Sequence, residues 1–242
     1  MALAILCLGV LHGAAQGEVV NVYTSARVAP LVTGDGGGIY PDLVDYLNRK
    51  KLGPLSFKLI YLPRKRLQLQ VERGELDGIV IGMMPDWFND GAQKQYLWTV
   101  PFDIDRYVIV LPAGQAYSET KPGALSGHTV GMALGYSYPD LEAWIRQQGL
   151  VRSDAISDDN NLEKLRLGRV DSVMVAESIA RYYMKVHAVA ADKFQLHELP
   201  SRATERRFLV PRAKAAVYDK IAPVIRQLKD DPEWQRLAAK YQ

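Results

Sequence analysis

The chain has almost no sulfur chemistry to call on: 1 of its 242 residues is cysteine, Cys7. A single thiol closes no intrachain disulfide, so the fold must be held by its core. Histidine is sparse as well, with 4 residues at 12, 128, 187 and 197 and no H-x-x-x-H pair. No metal-ligand spacing is visible, and no cofactor is expected. Positive charge is not concentrated: the net charge is +3 and the longest basic run is Arg64-Lys65-Arg66. That excludes the footprint of a nucleic-acid binder. After the N-terminus, no apolar run approaches the roughly 20 residues that span a bilayer. Gly36-Gly37-Gly38 lacks the Lys-Ser/Thr of a phosphate loop. Gly135-Tyr136-Ser137-Tyr138-Pro139 lacks the closing glycine of a nucleophile elbow, and no recognisable motif supplies the His and acid of a triad.

What is present begins with an apolar run of about ten residues, Ala2 to Leu11, followed by Gly13, Ala14, Ala15 and Gly17. This matches a secretory h-region and a small-residue cleavage site after Ala15 or Gly17, so residues 1–17 are expected to be a signal peptide. No Lys or Arg precedes the run, so the true signal is expected to start upstream of Met1. The competing reading is a buried first strand or helix. Leu6 stands before Cys7 where a lipoprotein cysteine would have a small residue. Export implies a periplasmic location. The remainder, in a chain that is 48% hydrophobic, suffices for a full core.

One pattern occurs twice. Leu69 to Gly82 reads L-Q-V-E-R-G-E-L-D-G-I-V-I-G, and Leu162 to Ala176 reads L-E-K-L-R-L-G-R-V-D-S-V-M-V-A. Each copy is a helical segment, a Gly suited to a helix C-terminus, an Asp and a short apolar run of a strand buried on both faces. Two such units predict two similar α/β lobes with a ligand cleft between them. Strands are predicted at Val19–Tyr23, Phe57–Leu62, Gly78–Ile81, Tyr107–Leu111, Thr129–Ala133, Ser172–Val175 and Phe208–Val210. Helices are predicted from Tyr40, over Arg64–Arg73, Pro139–Gln148, Leu162–Leu167, Glu177–Val186, about Ala213–Leu228 and Pro232–Tyr241. Pro223 is expected to kink or divide the penultimate helix. Pro112-Ala113-Gly114 reads as a hinge.

The order and spacing of several segments carry a resemblance. They are Gly38-Ile39-Tyr40-Pro41-Asp42-Leu43-Val44, the Gly74-Glu75-Leu76-Asp77-Gly78 turn and Tyr96-Leu97-Trp98-Thr99-Val100-Pro101-Phe102. In the second half they are Thr129 to Tyr138, Gly168-Arg169-Val170-Asp171 and a helix from Trp234 to Tyr241. Together these resemble the family 3 periplasmic solute-binding proteins, the amino-acid-type binders of ABC importers. The resemblance implies a type II two-lobe fold with two crossover strands, a hinge and a ligand cleft. Lobe one would comprise residues 18–110 and 206–242, and lobe two residues 111–205. It also implies a monomer that serves a membrane permease. The family usually carries an Arg shortly before the segment matching Tyr96 to Phe102, for the ligand carboxylate. Pro85 to Lys94 contains none. An Asp for the ligand ammonium usually follows the second-lobe strand, where this chain has Ala176 and then Glu177. Lys94 and Glu177 are the candidate substitutes.

The candidate binding residues are therefore these. Arg64 and Arg66 follow a strand at its carboxyl end, where they read as an anion fork or as a solvated first helical turn. Tyr23 leaves the first strand at the same edge, beside Thr24, Ser25 and Arg27. Trp87, Phe88, Trp98 and Phe102 read as a cleft wall or as core, with Trp87 the first choice for the cleft. Tyr136, Ser137 and Tyr138 precede a helix that Ser137 would cap, leaving free amides for an anion. Glu177 completes the set. Three functions follow: capture of a small polar or anionic solute for import; an enzyme on the same scaffold, as in the cyclohexadienyl dehydratases that resemble these binders; or a ligand sensor with a separate membrane partner.

Overall fold

A computed structural model describes residues 17–118, 121, 123–138, 141–189 and 192–241. The expected signal peptide lies outside the described residues except for Gly17. The first lobe holds β1 (Glu18–Thr24), α1 (Ile39–Arg49), β2 (Leu55–Tyr61), α2 (Arg64–Glu72), β3 (Ile79–Met83), β4 (Leu97–Trp98) and β5 (Asp103–Asp105). The second holds β6 (Tyr107–Pro112), β7 (Thr129–Ala133), α3 (Glu142–Gln148), β8 (Val151–Ala155), α4 (Asp158–Arg166), β9 (Ser172–Ala176), α5 (Glu177–Val186) and β10 (Phe194–Glu198). The chain returns to the first sheet as β11 (Thr204–Val210), then adds α6 (Ala215–Gln227) and α7 (Pro232–Ala238).

The two sheets repeat one topology. The first runs β2-β1-β3-β11-β4, with β5 on β11; the second runs β10-β6-β9-β7-β8. In each, three parallel strands are followed by one antiparallel strand, β11 in the first and β6 in the second. The sequence repeat falls on equivalent units, α2-to-β3 and α4-to-β9. Both helices end alike: Gly74 (φ 67°) and Gly168 (φ 65°) turn left-handed, and the next amide reaches back, Glu75 N to Gln70 O at 2.9 Å and Arg169 N to Lys164 O at 2.8 Å. This is the Schellman closure that a Cβ would oppose. Strands β3 and β9 are buried along their whole length. Each large side chain such as Ile79, Ile81 or Val173 contributes about 1.5–3 kcal/mol by leaving water.

The chain crosses between the lobes at β5–β6 and at β10–β11. The crossings pair antiparallel, with Arg206 opposite Asp103 and Thr204 opposite Asp105. Strand Tyr107–Pro112, which the sequence reading divided at residue 110, hydrogen-bonds on both sides within the second sheet. The Pro112-Ala113-Gly114 stretch therefore lies beyond the crossing, with Ala113 N bonded to Lys193 O. The C-terminal helices dock on the first lobe. Lys50 pairs with Asp231 at 2.8 Å and Arg49 with Glu233 at 2.5 Å, while Tyr241 donates to Asp42 at 3.0 Å and accepts from Gly38 N.

Three local expectations are corrected. Helix α6 runs undivided through Pro223. Pro223 and Asp219, whose carbonyl loses its helical donor, are both exposed, so that oxygen is open to solvent. The fourth helix begins at Asp158 rather than Leu162, because Ser157 caps it by accepting from Asn160 N at 3.2 Å. Helix α3 begins at Glu142 with Leu141 at its N-cap and no side-chain cap, so Ser137 does not cap it.

Candidate functional site

The carboxyl ends of the parallel strands face each other across the gap between the lobes, where ligands sit in open α/β sheets. A narrow cavity of about 60 Å³ lies there. The first lobe supplies Thr24 and Ser25 from the end of β1, Tyr40 from α1, Arg64 from the start of α2, Met83 from the end of β3 and Trp87 after it. The second supplies Tyr107, Tyr136, Tyr138, Asp158 and Ala176. Outward, a larger pocket of about 830 Å³ shares Arg64, Trp87, Tyr107 and Tyr136. Ser137 and Arg152 stand on its wall. Arg152 braces that wall by donating to the carbonyls of Ala133 and Tyr136 at 3.3 and 3.0 Å.

Glycine at 82 is what lets Tyr40 reach the gap. Its φ is +77°, and a Cβ there would lie 2.0 Å from the Tyr40 hydroxyl. The phenols of Tyr40, Tyr107, Tyr136 and Tyr138 are all pushed up in pKa, burial being the leading cause, that of Tyr40 to about 12. They stay neutral at physiological pH and can donate.

Arg64 is the cationic pole. Among the described residues no carboxylate pairs with it. Its Nη1 meets the Met83 thioether at 2.8 Å, and its guanidinium lies 5.1 Å from the Trp87 ring centre. Burial lowers its pKa from the ordinary value, yet a guanidinium remains charged at neutral pH. Asp158 is the acidic pole. Its Oδ1 is buried and has no hydrogen-bond partner among the described residues. Arg206 lines the same cavity but is engaged with Asp103 at 3.2 Å and Asp105 at 3.4 Å.

At the cavity the lobes touch through Tyr136 and Ser25. The Tyr136 hydroxyl lies 3.4 Å from Ser25 Oγ and 3.3 Å from the Ser25 carbonyl. Tyr136→Phe removes a group that both closes the lobes and lines the cavity. The expected loss is about 1 kcal/mol, roughly fivefold in ligand affinity, with the melting temperature of the free protein almost unchanged. Titration calorimetry beside a thermal melt checks it; undiminished affinity would mean that closure does not use this bridge.

Of the sequence candidates, Arg64, Trp87, Tyr136 and Tyr138 meet at the inner cavity and Ser137 at the outer pocket. Four others lie elsewhere. Tyr23 packs into the apolar cluster of Leu67, Val71 and Val80 under α2. Arg66 is exposed on the same helix as Arg64 but is absent from both pockets. Trp98 is buried against Phe88 and Tyr96, its Nε1 donating to Asp90 at 2.8 Å. Asp90 also accepts from the backbone amides of Lys94, Gln95 and Tyr96. Burial pushes the Asp90 carboxyl up, but these four bonds, Trp98's foremost, hold it below the usual range. Glu177 pairs with Arg106 and Arg181 at 2.9 and 2.5 Å, and Lys94 is exposed away from the gap with its carbonyl held by Arg212. Neither substitutes for an anchor in the cavity. The residues that sequence reasoning missed are Asp158, Arg206, Tyr107 and Tyr40.

No protein-family model matches the chain, and no curated protein does. Solved structures match its fold along almost the whole length. The substrate-binding protein of an amino acid ABC transporter is 21% identical over 93% of this chain and 99% of that one, with a TM-score of 0.69. An ancestral arginine-binding protein bound to arginine is 19% identical over 94% and 99%, with a TM-score of 0.71. An ancestral amino acid-binding protein described as a precursor of cyclohexadienyl dehydratase is 15% identical over 92% and 94%, with a TM-score of 0.68. The chain thus has the two-lobe, type II fold of periplasmic binding proteins, and is similar in architecture to the amino-acid binders of ABC importers. No helix among the described residues is long and apolar enough to cross a membrane.

Proposed function

We propose that this is a solute-binding protein of the family 3, amino-acid type. It captures a small solute in the periplasm as a monomer and delivers it to an ABC importer permease. The observation that carries the reading is the cavity itself. Both lobes line it, it holds a guanidinium with no carboxylate partner among the described residues and a set of neutral hydroxyls, and the Ser25–Tyr136 bridge closes it. Arg64 takes an anionic group of the ligand, with Thr24 and Ser25 beside it, and Trp87 covers its body where the cavity opens outward. Closure is favoured when contacts to both lobes form at once. The ligand class is an amino acid or a related organic acid.

Thermal shift against amino acids, small organic acids and polyamines tests this. A true ligand raises the melting temperature through linkage, by about 2.7 kcal/mol of stability at 100 times its Kd. Folded protein that shifts with none of these classes overturns the reading.

One observation favours a second reading. Asp158 is a buried carboxyl pushed up in pKa to about 7, mainly by burial and then by the charge of Asp159. A carboxyl that titrates near neutral pH in a ligand cavity suits a general acid, and one structural neighbour is described as a dehydratase precursor. Glu177, ion-paired outside the cavity, does not suit that role. Product formed from prephenate or arogenate would establish the enzyme; its absence removes that version.

A further inference from the structure

We propose that the ligand carries an uncharged aromatic arm with a polar tip, and that a compartment beside the inner cavity receives it. The proposal rests on the binding-protein reading and deepens it by naming the substrate class. At about 60 Å³ the inner cavity is far below the roughly 300–1,000 Å³ of small-molecule sites, so it admits a charged head and little more. Trp87, Tyr107 and Tyr138 line that cavity, and the same three side chains line a second compartment of about 270 Å³. The two spaces thus adjoin, and a head held at Arg64 leaves the rest of the ligand at their shared aromatic wall. Ser201 and Arg202, on the segment that returns from β10 to β11, also line the second compartment.

Three observations select the chemistry of the arm. The first is the shape of the wall. Tyr107 and Tyr138 meet edge to face, with ring centres 5.4 Å apart and planes at 86°, and Trp87 joins them from the other lobe. Buried Leu141 extends the apolar lining from the second lobe, and Met84 from the first. Such a corner suits a ring, and closure clamps it because both lobes contribute. The second is charge. Asp86 and Arg202 are the ionic groups of this lining among the described residues, and they pair with each other at 3.2 Å. The outer pocket instead presents Lys65, Glu72, Arg152 and Asp154, whose charges an apolar arm would have to desolvate. An uncharged arm therefore favours the second compartment. The third is Ser201. Its Oγ is buried with no hydrogen-bond partner among the described residues. A buried hydroxyl left unpaired costs free energy until a ligand group satisfies it. A phenolic hydroxyl at the end of the arm meets that need.

The experiment titrates L-tyrosine, L-phenylalanine, L-alanine, L-glutamate and L-arginine, each beside its desamino acid, by calorimetry. Phenylalanine, or its desamino acid, should bind at least about tenfold more tightly than the alanine counterpart, as burial of a ring requires. The tyrosine counterpart should bind roughly fivefold more tightly again. The glutamate and arginine counterparts should gain nothing over alanine. Ser201→Ala should erase the advantage of the hydroxyl and leave phenylalanine unmoved. Ser201→Phe should fill the compartment and weaken both aromatic ligands at least about tenfold, leaving alanine unmoved. A charged arm that binds most tightly, tyrosine no tighter than phenylalanine, or aromatic affinity that survives in folded S201F overturns the role of the compartment while leaving solute binding intact. Binding by none of these compounds, nor by any other in the thermal screen, overturns the binding reading instead. The wild-type series decides the matter even if S201F fails to fold.

Discussion

Arg64→Met is expected to abolish useful capture of the ligand while making the empty protein more stable. The two effects have one origin. The guanidinium is drawn into the gap at the start of α2, over Trp87, with a thioether rather than a carboxylate at its tip. In the empty protein that charge has lost water and gained no counter-ion among the described residues, an unfavourable state. A ligand anion supplies the missing partner, with two parallel hydrogen bonds if it is a carboxylate. Truncating one side of such a buried pair costs about 2–5 kcal/mol, roughly 30- to 4,000-fold in Kd. Methionine keeps the apolar stem and discards the charge, so the melting temperature of the unliganded variant should rise. Arg66→Met, on the exposed face two residues along, is the control and should change neither quantity. Calorimetry with a ligand from the thermal screen, beside melts of the empty proteins, separates the cases. Wild-type affinity in R64M would remove Arg64 from the binding site.

Much of this architecture was legible in the chain because local chemistry and global fold agree. The helix–Gly–Asp–strand pattern occurs twice since each lobe needs the same turn: a left-handed glycine ends the helix, and the strand after it is buried on both faces. Arg64 was legible because it follows a strand at its carboxyl end. The errors have physical causes too. Tyr23 and Trp98 belong to residue types that serve core and cleft equally, and only the packing of α2 and the Asp90 turn assigns them to the core. Strand β8, Val-Arg-Ser-Asp-Ala, is a polar edge strand with exposed Val151 and Arg152, so no apolar run marks it. Asp158 was hidden because Asp158-Asp159-Asn160-Asn161 looks like a solvated loop. Ser157 three residues before Asn160 was the available capping signal. Arg206 could have been found from period: Thr204, Arg206 and Phe208 share the buried face of β11, and a charge on an inward position demands a partner.

That partner set makes Arg206 the site of the largest stability effect. Arg206 is 6% exposed and lies where the two crossing strands pair. Asp105 gathers the joint from the other lobe as well, accepting from Ser178 Oγ at 2.6 Å and from the Arg106 amide at 2.9 Å. Burial acts against the charge of Arg206, but the phenol of Tyr40 and the carboxylates of Asp105 and Asp103 outweigh it and hold its pKa above the ordinary value. Asp103 is already pushed up by burial despite its pairing with Arg206. Arg206→Met leaves buried Asp105 and half-buried Asp103 without their cation, a loss of about 3–5 kcal/mol. For a chain of this size that is roughly 6–20 °C in melting temperature. The sign with pH follows. With the cation gone, Asp103 loses the charge that holds its pKa down, so its folded pKa rises further above the unfolded one and the folded state holds that proton more tightly. The deficit of the variant is then fully present at neutral pH and shrinks as pH falls through that raised value. Adding Asp103→Asn and Asp105→Asn removes the stranded charges and should recover much of the loss at neutral pH. Urea unfolding at two pH values tests all three proteins. A deficit that is independent of pH and unrelieved by the double replacement would mean that Arg206 acts through packing alone, and that the joint between the lobes is not electrostatic.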